Sequence, residues 1–184
     1  MSGRSDATIS AALGLHLDPE MTGGHKEAPE TLLLVMSALH LATYQPDIAP
    51  NLGAMIRLSA CFATPLHVIE PCGFPFSLKA LRRTAMDYAD IADVTRYDDW
   101  PAFTRTRPPG RLVLLTTKGA TPLWDFDFSR GDTLLMGRET AGVPDEVHVA
   151  ADARVLIPVA PPARSLNLAT AAAIALAEAI RQTR

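Results

Sequence analysis

The chain has 184 residues, 48% of them apolar and 20% charged, with a net charge of −3. That length suits one domain with a sizeable core, and the composition excludes a disordered chain. The slight acidic excess offers no bulk-charge argument for a nucleic-acid partner, which would need a local basic patch.

Residues 1–35 carry Arg4 and Lys26 against Asp6, Asp18, Glu20, Glu27 and Glu30, which accounts for the whole net charge. Their periodicity is weak. We expect a flexible extension here, or an extra ordered helix over 10–17, ahead of a folded part spanning 36–184. The apolar run over 32–44 is too short to span a bilayer and is interrupted by Ser37 and His40. It also follows an acidic lead, unlike a secretion signal, so the expected location is cytoplasmic, with no membrane contact.

From there strand and helix patterns alternate. Residues 39–44 read as a strand. Residues 51–63 read as a helix with Leu52, Met55, Ile56 and Ser59/Ala60 on one face, capped by Asn51. A strand follows over 66–70, stopped by Pro71. Ser77 suits the cap of a helix through about 85, where Lys79, Arg82 and Arg83 fall three and four apart on one face. That face is either an ordinary solvated one or a phosphate contact.

Residues 91–97 look extended, and Asp98 or Asp99 opens a helix to about 106. Apolar runs over 111–117, 133–136 and 155–159 have the character of strands buried on both faces. A short helix over 144–149 separates the last two, and an Ala-rich helix over 167–182 closes the chain. This alternation predicts an α/β fold with an open, mostly parallel sheet.

In such sheets ligands sit beyond the carboxyl ends of the strands. Three loops there are rich in Gly, Pro and polar residues: Thr116-Thr117-Lys118-Gly119, Gly137-Arg138-Glu139-Thr140, and the stretch from Pro158 through Arg164-Ser165-Leu166-Asn167. Pro50-Asn51-Leu52-Gly53 opens another strand-to-helix junction of the same kind. Their convergence predicts one site that grips a polar ligand with main-chain groups. Cys61 and Cys72 have no metal spacing, and the five histidines form no pair at ligand spacing. We therefore expect reduced thiols and no metal.

These motifs, in this order, resemble those of the SPOUT superfamily, in its SpoU ribose 2′-O-methyltransferase branch. Within that branch the chain is similar to the TrmL-type group, which methylates the wobble ribose, nucleotide 34, of leucine tRNAs. The likeness extends to Tyr44-Gln45-Pro46-Asp47-Ile48-Ala49-Pro50-Asn51, Ile69-Glu70-Pro71-Cys72-Gly73-Phe74, Leu81-Arg82-Arg83, Met86-Asp87-Tyr88 and Leu115-Thr116-Thr117-Lys118-Gly119. It implies a carboxyl-terminal trefoil knot that holds S-adenosylmethionine in a bent shape, and a homodimer with the knot at its interface. No general rule would predict a knot, since knots are nearly absent from proteins. The closing helix's alanines could let two backbones approach, or simply favour helix.

Carried over by position, the resemblance assigns cofactor contact to Leu115, Gly137, Ile157 and Ser165, three of them mainly through the main chain. Leu115 and Ile157 also suit plain core packing. Arg57 matches the catalytic arginine. A guanidinium stays protonated in water and is a poor general base, so the expected role is to grip a phosphate and align the 2′-oxygen. Asn51, Lys79, Arg82, Arg83, Glu139 and Asn167 are the candidate substrate residues. Glu139 has three open roles: orienting RNA, orienting the knot loops, or pairing with an arginine. Asn167 also suits a helix cap. The chain departs from the pattern at Ala177, where a tyrosine is familiar, at Thr84-Ala85, at Ala54, and at Arg138, where Pro is usual.

The expected activity is S-adenosylmethionine-dependent 2′-O-methylation of tRNA nucleotide 34. The alternatives are another tRNA position or ribosomal RNA, a knotted RNA-binding protein without catalysis, and a generic nucleotide-binding protein.

Overall fold

The computed structural model describes residues 39–76, 88, 90–119 and 121–184. Its sheet is built from β1 (His40–Tyr44), β2 (Leu66–Ile69), β3 (Val94–Tyr97), β4 (Leu112–Leu115), β5 (Thr121–Pro122), β6 (Thr133–Met136) and β7 (Ala153–Leu156). The strand order is β3-β2-β1-β6-β4-β7-β5, and every pairing is parallel. The sequence pattern indicated a mostly parallel sheet; among the described strands it is wholly so. The two-residue β5 was not expected, because so short an edge carries no periodicity.

Both faces of the sheet are covered, as continuous apolar strands require. Alternate residues of each strand point to opposite sides. Leu41, Val113, Leu115, Leu134 and Met136 enter one cluster with α1 (Ala49–Cys61) and α4 (Leu168–Thr183). Ala42, Tyr44, Leu112, Leu114 and Leu135 enter another, with Trp100 and Phe103 of α2 (Trp100–Thr106) and Val147 of α3 (Asp145–Ala150). The predicted face of α1 is the buried one: Leu52, Met55, Ile56 and Ser59 are all covered.

Two helix starts match the sequence signals. Asp99 caps α2 by accepting from the Ala102 N–H at 2.6 Å, and Asn167 caps α4 by accepting from the Ala169 and Thr170 N–H groups. Asn51 is a correction. The N-cap of α1 is Ile48, without a side-chain bond, and Asn51 lies inside the first turn. Pro50 is the reason: its fixed φ suits a helix and its missing N–H would be unpaired there anyway, so the helix begins earlier. In α4, Ala172, Ala175 and Ala179 are buried within the chain itself, so these small residues seat the helix on its own core. The expected extension over 1–35 lies outside the described residues, as do Lys79, Arg82 and Arg83.

The strand order reverses between β1 and β6: β2 and β3 follow β1 on one side, while β4, β6 and β7 lie on the other. The loops after β1 and β6 therefore meet at a switch point at the carboxyl end of the sheet, with those after β4 and β7 beside them.

Candidate active site

The turn after β6 is closed by its own backbone. The Arg138 N–H donates to Gly142 O at 2.9 Å, and the Gly142 N–H donates back to Arg138 O at 3.0 Å. Gly142 sits at φ +70°, the left-handed region that glycine tolerates. After β4, the Gly119 N–H donates to Thr116 O at 3.1 Å, and a Cβ at Gly119 would meet the backbone of Val155 at 2.7 Å. That loop therefore lies flat against β7.

Side chains tie three of the motifs together. Glu139 accepts from the Asn51 Nδ2 at 2.9 Å and, through its other oxygen, from the Asp47 N–H at 2.8 Å. Asn51 Oδ1 accepts from the Asn167 Nδ2 at 2.8 Å, and Asn167 Oδ1 is left to cap α4. The direction of this chain is fixed by chemistry. A carboxylate only accepts, so Asn51 turns its amide NH₂ toward Glu139 and its oxygen toward Asn167. Asp47 extends the network: its Oδ1 accepts from Arg138 Nε and Nη2 at 3.1 and 2.7 Å, and its Oδ2 accepts from the Thr140 hydroxyl. The Arg138 hydrogen bond, then that of Thr140, holds the Asp47 carboxyl below the usual range, and the same contact raises Arg138.

The loops enclose a cleft of about 560 Å³. Leu115, Gly137, Ile157 and Ser165 all line it, together with Asn51, Glu139 and Asn167. Leu115 and Ile157 line the cleft and also pack against the core. Arg57 does not line the cleft. It is half-buried on α1, six residues and about 9 Å along the axis beyond Asn51, with its guanidinium 4.9 Å from the Tyr88 ring centroid.

Of the three roles open to Glu139, the structure displays loop fastening, its two oxygens holding Asn51 and the Asp47 main chain. Sequence reasoning gave no role to Asp47, Arg164 or His148. Arg164 and His148 line the cleft, and His148 Nδ1 is buried without a hydrogen-bond partner among the described residues. Asp47 and Arg138 pair across 91 positions, and no local pattern signals such a contact. Among the described residues no group of His, Cys, Asp or Glu is placed to hold a metal.

The model of the SpoU rRNA Methylase family matches residues 38–177. The chain belongs to the SpoU methylase family. A relative from Beijerinckia indica, named tRNA (cytidine(34)-2′-O)-methyltransferase, is 53% identical over 144 residues, 77% of this chain and 90% of its own. An Escherichia coli protein of the same name is 41% identical over 146 residues, 78% of this chain and 93% of its own. Among solved structures, one described as "Structural insights into the 2-OH methylation of C/U34 on tRNA" superposes with a TM-score of 0.74 at 40% identity. It covers 78% of this chain and 95% of that one. The SpoU methyltransferase AviRb from Streptomyces viridochromogenes, solved in complex with the cofactor AdoMet, has a TM-score of 0.67 at 28% identity, covering 78% of this chain and 59% of that one.

The SpoU cleft seen here suits such a cofactor. Its volume lies within the range of about 300–1,000 Å³ usual for small-molecule sites. Gly137 brings bare main chain to its wall, where adenine edges can be read by N–H and C=O.

Proposed function

We propose that this chain transfers a methyl group from S-adenosylmethionine to the ribose 2′-hydroxyl of tRNA nucleotide 34. The observation that carries this reading is the cleft into which the end of β4 and the loops after β6 and β7 all deliver their expected cofactor residues. Relatives named for that reaction, at 41–53% identity, supply the substrate.

When bound, S-adenosylmethionine supplies an activated methyl on a sulfonium. Leu115, Gly137, Ile157 and Ser165 hold it, chiefly through main-chain groups. Asn51, Glu139 and Asn167 act on the substrate by holding the loops that face it. Lys79, Arg82 and Arg83 supply phosphate contacts. Arg57 grips a phosphate and aligns the 2′-oxygen for in-line attack, an effect worth up to about 7–11 kcal/mol in intramolecular models. A 2′-oxygen aligned in this way would receive the methyl that the cofactor supplies, its hydroxyl proton passing to water.

The same reading includes a homodimer. Arg57 lies off its own cleft, and a second copy presenting α1 to that cleft would complete the site. It includes the family's trefoil knot, which suits a chain that places β6 between β1 and β4 and then β7 beyond β4. We assign 36–184 to the catalytic domain, 1–35 to an extension, and the protein to the cytoplasm, where tRNA is modified. Among the described residues no helix is long and apolar enough to cross a membrane.

Mapping 2′-O-methyl groups in tRNA from a deletion strain tests the target: position 34 loses its mark. Loss at another tRNA position or in ribosomal RNA would redirect the assignment. Arg57→Ala should abolish transfer while S-adenosylhomocysteine affinity stays close to wild type. Mixing Arg57→Ala chains with Gly137→Val chains should recover part of the activity if each site draws on two copies.

A further inference from the structure

We propose that Asp47, which does not line the cleft, is the positioning residue that sets the cofactor turn in its binding geometry. This deepens the reading above and rests on that turn holding S-adenosylmethionine. Three consecutive residues of the turn are tied to this one residue. Arg138 donates twice to Oδ1, Thr140 donates its hydroxyl and, at 3.3 Å, its N–H to Oδ2, and Glu139 accepts the Asp47 N–H. Gly137, whose backbone faces the cleft, immediately precedes them.

The anchor is itself backed by main chain. The Gly73 N–H donates to Pro46 O at 2.9 Å, and a Cβ at Gly73 would fall 3.0 Å from the Asp47 Cα. Asp47 therefore has little freedom to follow the turn; the turn must follow it. Recognition by main-chain groups has no side-chain rotamer to adjust, so affinity depends on those groups being in place before the ligand arrives. Where the family resemblance places Pro at 138, this chain has an arginine that donates from both Nε and Nη2 to one oxygen of Asp47. Its N–H also closes the turn onto Gly142, a bond that Pro cannot make. The turn of this protein is thus held by charge and hydrogen bonds from a neighbouring loop.

Calorimetry with S-adenosylhomocysteine, beside thermal melts, tests the assignment. Asp47→Ala should weaken binding by about tenfold or more, and Asp47→Asn by less, because its remaining oxygen still accepts from Arg138. Arg138→Ala and Thr140→Val should each weaken binding, and their effects should not add to that of Asp47→Ala, since all act through one contact. Arg138→Lys should recover part of the loss, keeping the charge without the planar fork. Unchanged affinity in a folded Asp47→Ala variant, or full additivity with Arg138→Ala, overturns the proposal. If Asp47→Ala does not fold, unchanged affinity in both Arg138→Ala and Thr140→Val overturns it instead. Absence of binding to the wild-type chain would sink the cofactor reading itself, a distinguishable outcome.

Discussion

A Cβ placed on Gly137 would lie 3.0 Å from the Gly142 carbonyl carbon, 3.1 Å from the Gly142 Cα and 3.1 Å from Cγ1 of Val143. Two of the crowding atoms are backbone of the same closed turn and cannot step aside as a flexible side chain would. Gly137→Ala should therefore cost about 1–3 kcal/mol of stability and weaken cofactor binding, measurable by urea unfolding and calorimetry. The two thiols should differ as well. Burial, then the Glu70 charge, pushes the Cys72 thiol up to about 11, whereas Cys61 is exposed. Thiolate is the reactive form, so alkylation at pH 8 should label Cys61 well before Cys72. At this scale the sequence was legible where a residue's task is local. Gly137 could be read as a close-approach glycine, but the partner of Asp47 could not be read at all.

Helix caps separate stability from function at the scale of elements. Asp99 and Asn167 do the same local work, each accepting N–H bonds from the first turn of its helix. Only Asn167 also reaches Asn51 in the cleft. Asp99→Ala should cost about 1 kcal/mol and leave methyl transfer unchanged, while Asn167→Ala should cost a similar amount and also slow the reaction. Both caps were readable because capping depends on residues within three positions. The start of α1 was not, because Pro50 extends the helix ahead of Asn51 and frees that side chain for its distant partners. Strand ends were misread in the same way: the pattern over 155–159 suggested a strand, but β7 ends at Leu156 and the next residues turn into the cleft wall.

A chain of aromatic and imidazole groups crosses β1, β2 and β3 and couples the whole molecule to pH. His67 Nδ1 lies 3.0 Å from the Tyr97 hydroxyl, and its Nε2 lies 3.2 Å from His40 Nδ1. Burial, then repulsion from His40, lowers His67 to about 4 from the ordinary 6.5, and burial lowers His40 as well. The unfolded chain therefore binds a proton at His67 that the folded chain refuses between those two values. Stability is full above about pH 6.5 and falls as pH drops toward 4, by about 3 kcal/mol at most for His67. Urea midpoints measured at pH 7.5, 6, 5 and 4 should trace this fall, and His67→Gln should flatten it. A flat wild-type profile would remove His67 from the account. This cluster lies across strands 27 and 30 residues apart, so nothing in the local pattern announced it.

The sequence by itself determined the buried strands, the order of the motifs, the face of α1 and the caps of α2 and α4. Each rests on periodicity or on contacts a few residues long, which the chain carries locally. Only the tertiary structure decided that β6 lies between β1 and β4, that Asn51 serves the loops and not its own helix, and that Asp47 meets Arg138. Parallel pairing joins strands through long crossovers, so which loops share a cleft is a property of sheet order, and sheet order is settled by the packing of the whole core.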